Sequence, residues 1–309
     1  MPYSARMQKS HLYSVFFAPR GNERMADLGM QIAQQYLSPF DKLIGLIGVA
    51  GSGKSMIIKG MFPGLELTND DEGVNVRPLP LLSVDETGFY TAHTYHIDVR
   101  FESAFKQMHE LADAILYAAN KGKRVVIEHF DLIYPFLGRN AHLLIGLGEE
   151  VIVTRPTLFG PKPQEICDVV FKSIKSRLMV HTAEDICEYV LSKQDIGTHQ
   201  YEHADVREGF VLSFVTKPDI DLEELENGIN ELISQNVEVS YADEHHIKIG
   251  DSMRRCSGPR MHVRSTGEIE KVTLLKELLK EPITDRFLLV GVVGEIDDVN
   301  DLNHIVLQP

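Results

Sequence analysis

The 309-residue chain has no tryptophan and only three cysteines, Cys167, Cys187 and Cys256, at irregular spacings. So few thiols exclude a disulfide framework, leaving reduced cysteines with one candidate metal ligand among them. No apolar run approaches the roughly 20 residues of a membrane helix, so no membrane partner is expected. A secretory leader pattern is also missing. The short apolar stretch Val15 to Ala18 runs at once into Pro19, Arg20, Glu23 and Arg24, and a cytoplasmic protein is the expectation. Positive charge is scarce: 31 Lys and Arg stand against 45 Asp and Glu, a formal charge of −14, most of it beyond Lys175. That balance excludes a general DNA binder, because phosphate affinity needs clustered cations. Arg254, Arg255, Arg260 and Arg264 form one local exception, readable either as a phosphate-contacting patch or as a solvated turn.

What is present is a soluble composition, 43% hydrophobic and 25% charged, without repeats or low-complexity tracts. The first half alternates strand and helix patterns. Strands are expected at 12–18, 42–49, 94–99, 124–127 and 150–153, with helices at 22–36, from Lys54 to before Pro63, and at 103–120. Such alternation predicts an α/β unit, a parallel sheet with helices on both faces. Pro156, Pro161 and Pro163 mark the expected boundary, dividing the chain into 1–163 and 164–309. Beyond it the spacing predicts helix over 164–194 and 222–233, and strands at 237–241, 245–249 and 287–293. That is a smaller α+β unit.

Gly48-Val-Ala-Gly-Ser-Gly-Lys-Ser55 matches the P-loop pattern of nucleoside triphosphate-binding proteins in full, between a buried strand and a helix. The residue types suit phosphate. Gly48, Gly51 and Gly53, with Ser52 between them, let backbone N–H groups turn inward. Lys54 supplies a cation for the β- and γ-phosphates, and the helix start adds its dipole. The Ser55 hydroxyl suits Mg²⁺. A partner acid is expected at a strand end, where Glu128 is the first candidate, with Asp131 and Asp98 behind it. Arg139 and Arg155 are weaker candidates for phosphate contact. No guanine-selecting N-K-x-D is present, so ATP is expected rather than GTP.

In the second half, His262-Val-Arg-Ser-Thr-Gly-Glu-Ile269, the nearby Cys256, and Arg177-Leu-Met-Val-His181-Thr-Ala-Glu-Asp185 resemble the second additional domain of alanyl-tRNA synthetase. Freestanding alanyl-tRNA editing proteins share that domain. The likeness runs from about Phe171 to Leu275. It implies a Zn²⁺ site that hydrolyses a wrongly attached amino acid from the 3′ end of a tRNA, with ligands at His181, Asp185, Cys256 and His262. The first two are four apart, on one helix face. Asp185 stands where the family has His, and the Cys256–His262 spacing is longer than the family's. His199 with His203, four apart, forms a rival pair, and of the adjacent His245 and His246 only one could face a site. The combined expectation is an ATP-binding unit joined to an editing-like metal unit. The alternatives are a small-molecule kinase and a nucleotide-gated sensor without turnover.

Overall fold

A computed structural model describes residues 13–65, 67, 93–156, 158–243, 246–256, 261–295 and 302–303. Leu12, His245 and Arg260, each part of a sequence expectation, lie outside the described residues. The chain divides into two compact units, Met1–Ser173 and Ile174–Pro309. The division falls ten residues beyond Pro163, inside a 31-residue helix.

The first unit is built on a six-stranded sheet. Its strands are β1 (Tyr13–Phe17), β2 (Leu43–Gly48), β3 (Thr94–Asp98), β4 (Arg124–Glu128), β5 (Leu143–Leu147) and β6 (Glu150–Thr154), in the order β1-β6-β5-β2-β4-β3. The run from β5 to β3 is parallel. The expectation of a wholly parallel sheet is corrected at one edge, where β6 lies antiparallel to β5 and β1 antiparallel to β6. Local chemistry explains the change. Only Gly148 and Glu149 separate β5 from β6, and so short a link makes a hairpin, never the long crossover that parallel strands need.

Helices cover both faces of this sheet. On one side α1 (Asn22–Tyr36) and α2 (Lys54–Met61) pack on Ile44, Leu46, Val126 and Ile145. On the other, Leu43, Ile47, Val125 and Ile127 meet α4 (Met108–Asn120), α5 (Phe130–Leu137) and the start of α6 (Pro163–Lys193). The helix expected over 103–120 starts later, at Met108. A separate short helix, α3 (Val99–Glu102), precedes it. Asp98 opens this short helix by accepting hydrogen bonds from Arg100 N at 2.9 Å and Phe101 N at 3.2 Å, a side-chain cap on orphan amides.

The second unit combines the later turns of α6 and α7 (Leu222–Ser234) with two antiparallel sheets. One is β11-β10-β9, from Ser252–Arg255, His246–Ile249 and Val239–Tyr241. The other runs β12-β14-β8-β7, from Val272–Leu274, Phe287–Val293, Gly209–Phe214 and Tyr201–Val206, with β13 (Leu279–Lys280) also on β14. Its core joins Ile186, Cys187 and Leu191 of α6 to Leu225 and Ile229 of α7 and to Phe210 and Leu212 of β8.

Candidate functional sites

The Gly48–Ser55 loop leaves the carboxyl end of the central strand β2, the end where parallel sheets offer ligands a crevice. Gly51 and Gly53 have φ of 79° and 95°, a region that a side chain would strain. Gly48 is needed for space, since a Cβ there would come within 2.6 Å of Ser52 Oγ and 2.9 Å of Leu147 O. Lys54 is buried, and its Nζ donates to Val49 O at 2.8 Å and Gly48 O at 3.3 Å. The ammonium is thus folded back over the loop whose amides it follows.

Glu128, at the end of β4, comes to this loop. Its Oε1 accepts from Ser55 Oγ at 3.0 Å, and its Oε2 lies 3.8 Å from Lys54 Nζ. His96 Nε2, from the neighbouring β3, lies 3.1 Å from Oε1. Burial pushes the Glu128 carboxyl up, but the His96 hydrogen bond, the Lys54 charge and the Ser55 hydroxyl outweigh it and hold Glu128 below its ordinary range. Burial in turn lowers the Lys54 ammonium, against the pull of Glu128. A buried ionised acid beside a hydroxyl and a cation can order a divalent ion or a nucleophile.

Asp98 and His129 join Glu128 in a group whose donor atoms all lie within 4.8 Å of one another. His129 has φ 57° and ψ 47°, the left-handed region that few non-glycine residues adopt. Its imidazole is pushed down to about 4, first by burial and then by Lys54. Neither His96 nor His129 was singled out by the sequence. The signal for His96 was the alternation of β3, which puts it on the same sheet face as Asp98.

Asp131 and Arg155 go elsewhere. Asp131 Oδ2 faces Cys167 Sγ at 3.8 Å. Arg155 forms a buried fork on Asp41, with Nη1–Oδ1 and Nη2–Oδ2 both 2.7 Å. Arg124 Nε adds a bond to Asp41 O at 2.9 Å. Asp41 precedes β2, so this network sits at the opposite end of the strand from the loop. It is a structural brace, not a phosphate contact.

The second site lies wholly in the second unit. His181 and Asp185 point from one face of α6; Cys256 follows β11, and His262 follows it in turn. Their donor atoms all lie within 4.8 Å of one another. Cys256 Sγ is 3.4 Å from His181 Nε2 and 3.6 Å from His262 Nε2, and Asp185 Oδ2 is 2.6 Å from His262 Nε2. Thr182 pins the arrangement, donating to Leu178 O at 2.8 Å and accepting from Val263 N at 3.1 Å. The Tyr241 hydroxyl accepts from His262 N at 3.3 Å. The other two thiols are remote in character: burial raises both, Cys167 to about 12.

The rival histidines have different neighbours. His203 Nδ1 is 3.0 Å from Glu184 Oε1, and its Nε2 is 3.1 Å from Glu188 Oε1. Two carboxylates on opposite ring nitrogens make an ion-pair bridge, not a shared ion. His199 lies in a short 3₁₀ turn and is exposed. His246 pairs with Asp243 at 2.8 Å on the surface. Of the arginine patch, Arg264 is exposed, whereas Arg254 and Arg255 line a cavity of about 150 Å³ together with Asp185 and Glu188. Burial and then Asp185 push Glu188 up to about 8, His203 opposing.

Comparison with known proteins adds little. No family model and no curated protein matches the chain. Among solved structures that match, the crystal structure of Bacillus subtilus YdiB aligns over 53% of this chain and 95% of its own, at 19% identity and a TM-score of 0.26. So low a score carries no structural argument.

Proposed function

We propose that the chain binds ATP with Mg²⁺ through its first unit and hydrolyses an aminoacyl ester at a zinc centre in its second. The observation that carries the reading is the convergence of His181, Asp185, Cys256 and His262, from a helix and a segment some 75 residues later, to within 4.8 Å. The donor set fits zinc. Thiolate and imidazole select it over magnesium, and ligand bonds of about 2.0–2.3 Å at tetrahedral angles set neighbouring donors roughly 3.3–3.6 Å apart. The sulfur-to-nitrogen separations of 3.4 and 3.6 Å match that spacing. Asp185 approaches His262 more closely, at 2.6 Å, as a hydrogen-bond partner does. Asp185 is therefore the donor that gives way, leaving three ligands and the open position typical of hydrolytic sites.

Zinc held there would supply Lewis acidity toward the ester carbonyl. The chain's own residues do the rest. Thr182 fixes the His262 segment against α6, Tyr241 orients the His262 backbone, and the Asp185 carboxylate is the base nearest to the ligands. In the first unit, Lys54 would leave the carbonyls of Gly48 and Val49 for the β- and γ-phosphates. Ser55 and Glu128 would share the Mg²⁺ shell, Ser55 as a direct ligand.

The test is metal analysis with a paired hydrolysis assay. Protein purified without a metal-affinity tag is expected to carry close to one zinc per chain and to release amino acid from a mischarged tRNA. Cys256→Ser should lose both, while Cys167→Ser keeps both. Zinc-free native protein, or zinc-loaded protein inert toward every aminoacyl ester tried, overturns the reading.

A further inference from the structure

Asp98 and Glu128 end adjacent strands of the first sheet, and the parallel register of β3 and β4 sets them side by side. His129 follows Glu128 directly and opens α5 from a left-handed backbone. All three are buried, with 9%, 2% and 7% of their surfaces exposed. Like charges side by side on neighbouring strands repel, and burial removes the water that would screen them. Lys54, 3.8 Å from Glu128, relieves part of that repulsion.

His129 supplies the observation that points to an ion. Its ring makes no hydrogen bond with a described residue, although a carboxylate oxygen of each acid lies within 4.8 Å of a ring nitrogen. An imidazole N–H free to close on a carboxylate does so at about 2.9 Å. Buried polar groups normally find partners, and one left without asks what satisfies it. The wider spacing here is that of donors around a shared centre. With bonds of about 2.0–2.2 Å, two donors of one ion lie up to about 4.4 Å apart.

We propose that Asp98, Glu128 and His129 form a further metal site, which takes a divalent first-row transition ion in preference to Mg²⁺ and does so without nucleotide. The imidazole decides against Mg²⁺, a hard cation that takes oxygen ligands. The two carboxylates decide against the soft ions that thiolates select, and Mn²⁺ and Fe²⁺ accept both donor types. With three protein ligands and no thiolate, the ion is exchangeable, unlike the zinc proposed for the second unit. The Mg²⁺ proposed at Ser55 is a different ion, brought by the nucleotide phosphates. Glu128 has two oxygens and can serve both. The inference goes beyond the proposed function and does not rest on it, since neither ATP binding nor ester hydrolysis enters.

The test adds Mn²⁺ to the full chain without nucleotide. Electron spin-echo spectroscopy of the bound Mn²⁺ is expected to show modulation from a coordinated nitrogen. Mn²⁺ should also stay bound against an equal concentration of Mg²⁺. Two substitutions are chosen to keep the backbone, since Asn tolerates the left-handed region and also caps helices. His129→Asn should abolish the nitrogen modulation and weaken Mn²⁺ binding by about tenfold or more, the scale on which even the supporting partners of a metal ligand act. Asp98→Asn should weaken binding to a similar degree while the nitrogen modulation persists. Cys256→Ser should change neither readout. Displacement of Mn²⁺ by equal Mg²⁺, or a parent spectrum without nitrogen modulation, overturns the proposal whether or not any variant folds. Modulation that survives His129→Asn but disappears in Cys256→Ser assigns the ion to the second unit and overturns it as well.

Discussion

Lys54 and Arg155 are both buried cations beside a carboxylate, yet their surroundings assign them opposite work. Both terminal nitrogens of Arg155 are engaged, by Asp41 and by nearby carbonyls. Removing one member of a buried pair leaves the other charge uncompensated, which costs about 3–5 kcal/mol. Arg155→Met is therefore expected to lower stability by about 3 kcal/mol or more in urea melts while leaving ATP affinity in the folded protein intact. Lys54→Ala should instead weaken ATP binding by about tenfold or more. A phosphate role for Arg155 would reverse these outcomes. His129 offers a pH-dependent counterpart. Its imidazole is pushed down to about 4 in the folded chain, against an ordinary value of about 6.5 when unfolded. Between those values the unfolded chain binds the extra proton and the folded chain does not. Stability from this residue is thus present above about pH 6.5 and lost as pH falls toward 4. Asn tolerates the left-handed backbone, so His129→Asn should flatten the melting temperature in that window without nucleotide. Superimposable pH profiles for variant and parent would refute the assignment.

Helices α1 and α2 show how two glycines set the seat of the loop. A Cβ on Gly29 would meet Ile57 O at 2.4 Å, and one on Gly60 would meet Ala26 O at 2.0 Å. The two backbones therefore touch in both directions, and α2 is the helix that Lys54 opens. Gly60→Ala must push them apart. An overpacking cost of about 1–3 kcal/mol is expected, together with weaker ATP binding as the loop shifts; unchanged melts would show that the helices yield freely. Which elements the sequence revealed follows the same logic. Amphipathic α1 and α7 carry a helical period, and β2 and β14 are apolar runs of six and seven residues; all four were legible. Strand β5, Leu-Leu-Ile-Gly-Leu, and helix α5, which contains Pro135, were not. A five-residue apolar run has no period to read, and a proline argues against the helix it sits in. The convergence of His181, Asp185, Cys256 and His262 was legible only through resemblance. Nothing local in the sequence joins Cys256 to His181, and the turn that does so is tertiary.

For the chain as a whole, two apolar cores and two proposed sites predict two separable responses. One core centres on the six-stranded sheet, the other on α6, α7 and β8. Scanning calorimetry should resolve two transitions. ATP with Mg²⁺ should raise the one belonging to the first unit by mass action, and a zinc chelator should lower the other, because ligand binding there is also folding free energy. A chelator that moved the ATP-sensitive transition as far as the other would contradict this division of roles.

The strand order of the first unit has a consequence for synthesis. Strand β2 is six residues long, wholly apolar and buried throughout. Its partners β4 and β5 lie about 80 and about 100 residues further on. At about 5–20 residues per second, the ribosome leaves this segment without its flanking strands for about 4–20 s. It is uncharged, proline-free and rich in leucine and isoleucine, features of a self-pairing segment, which its two glycines weaken only in part. The strand that later anchors the Gly48–Ser55 loop is thus the one a nascent chain most needs to have shielded.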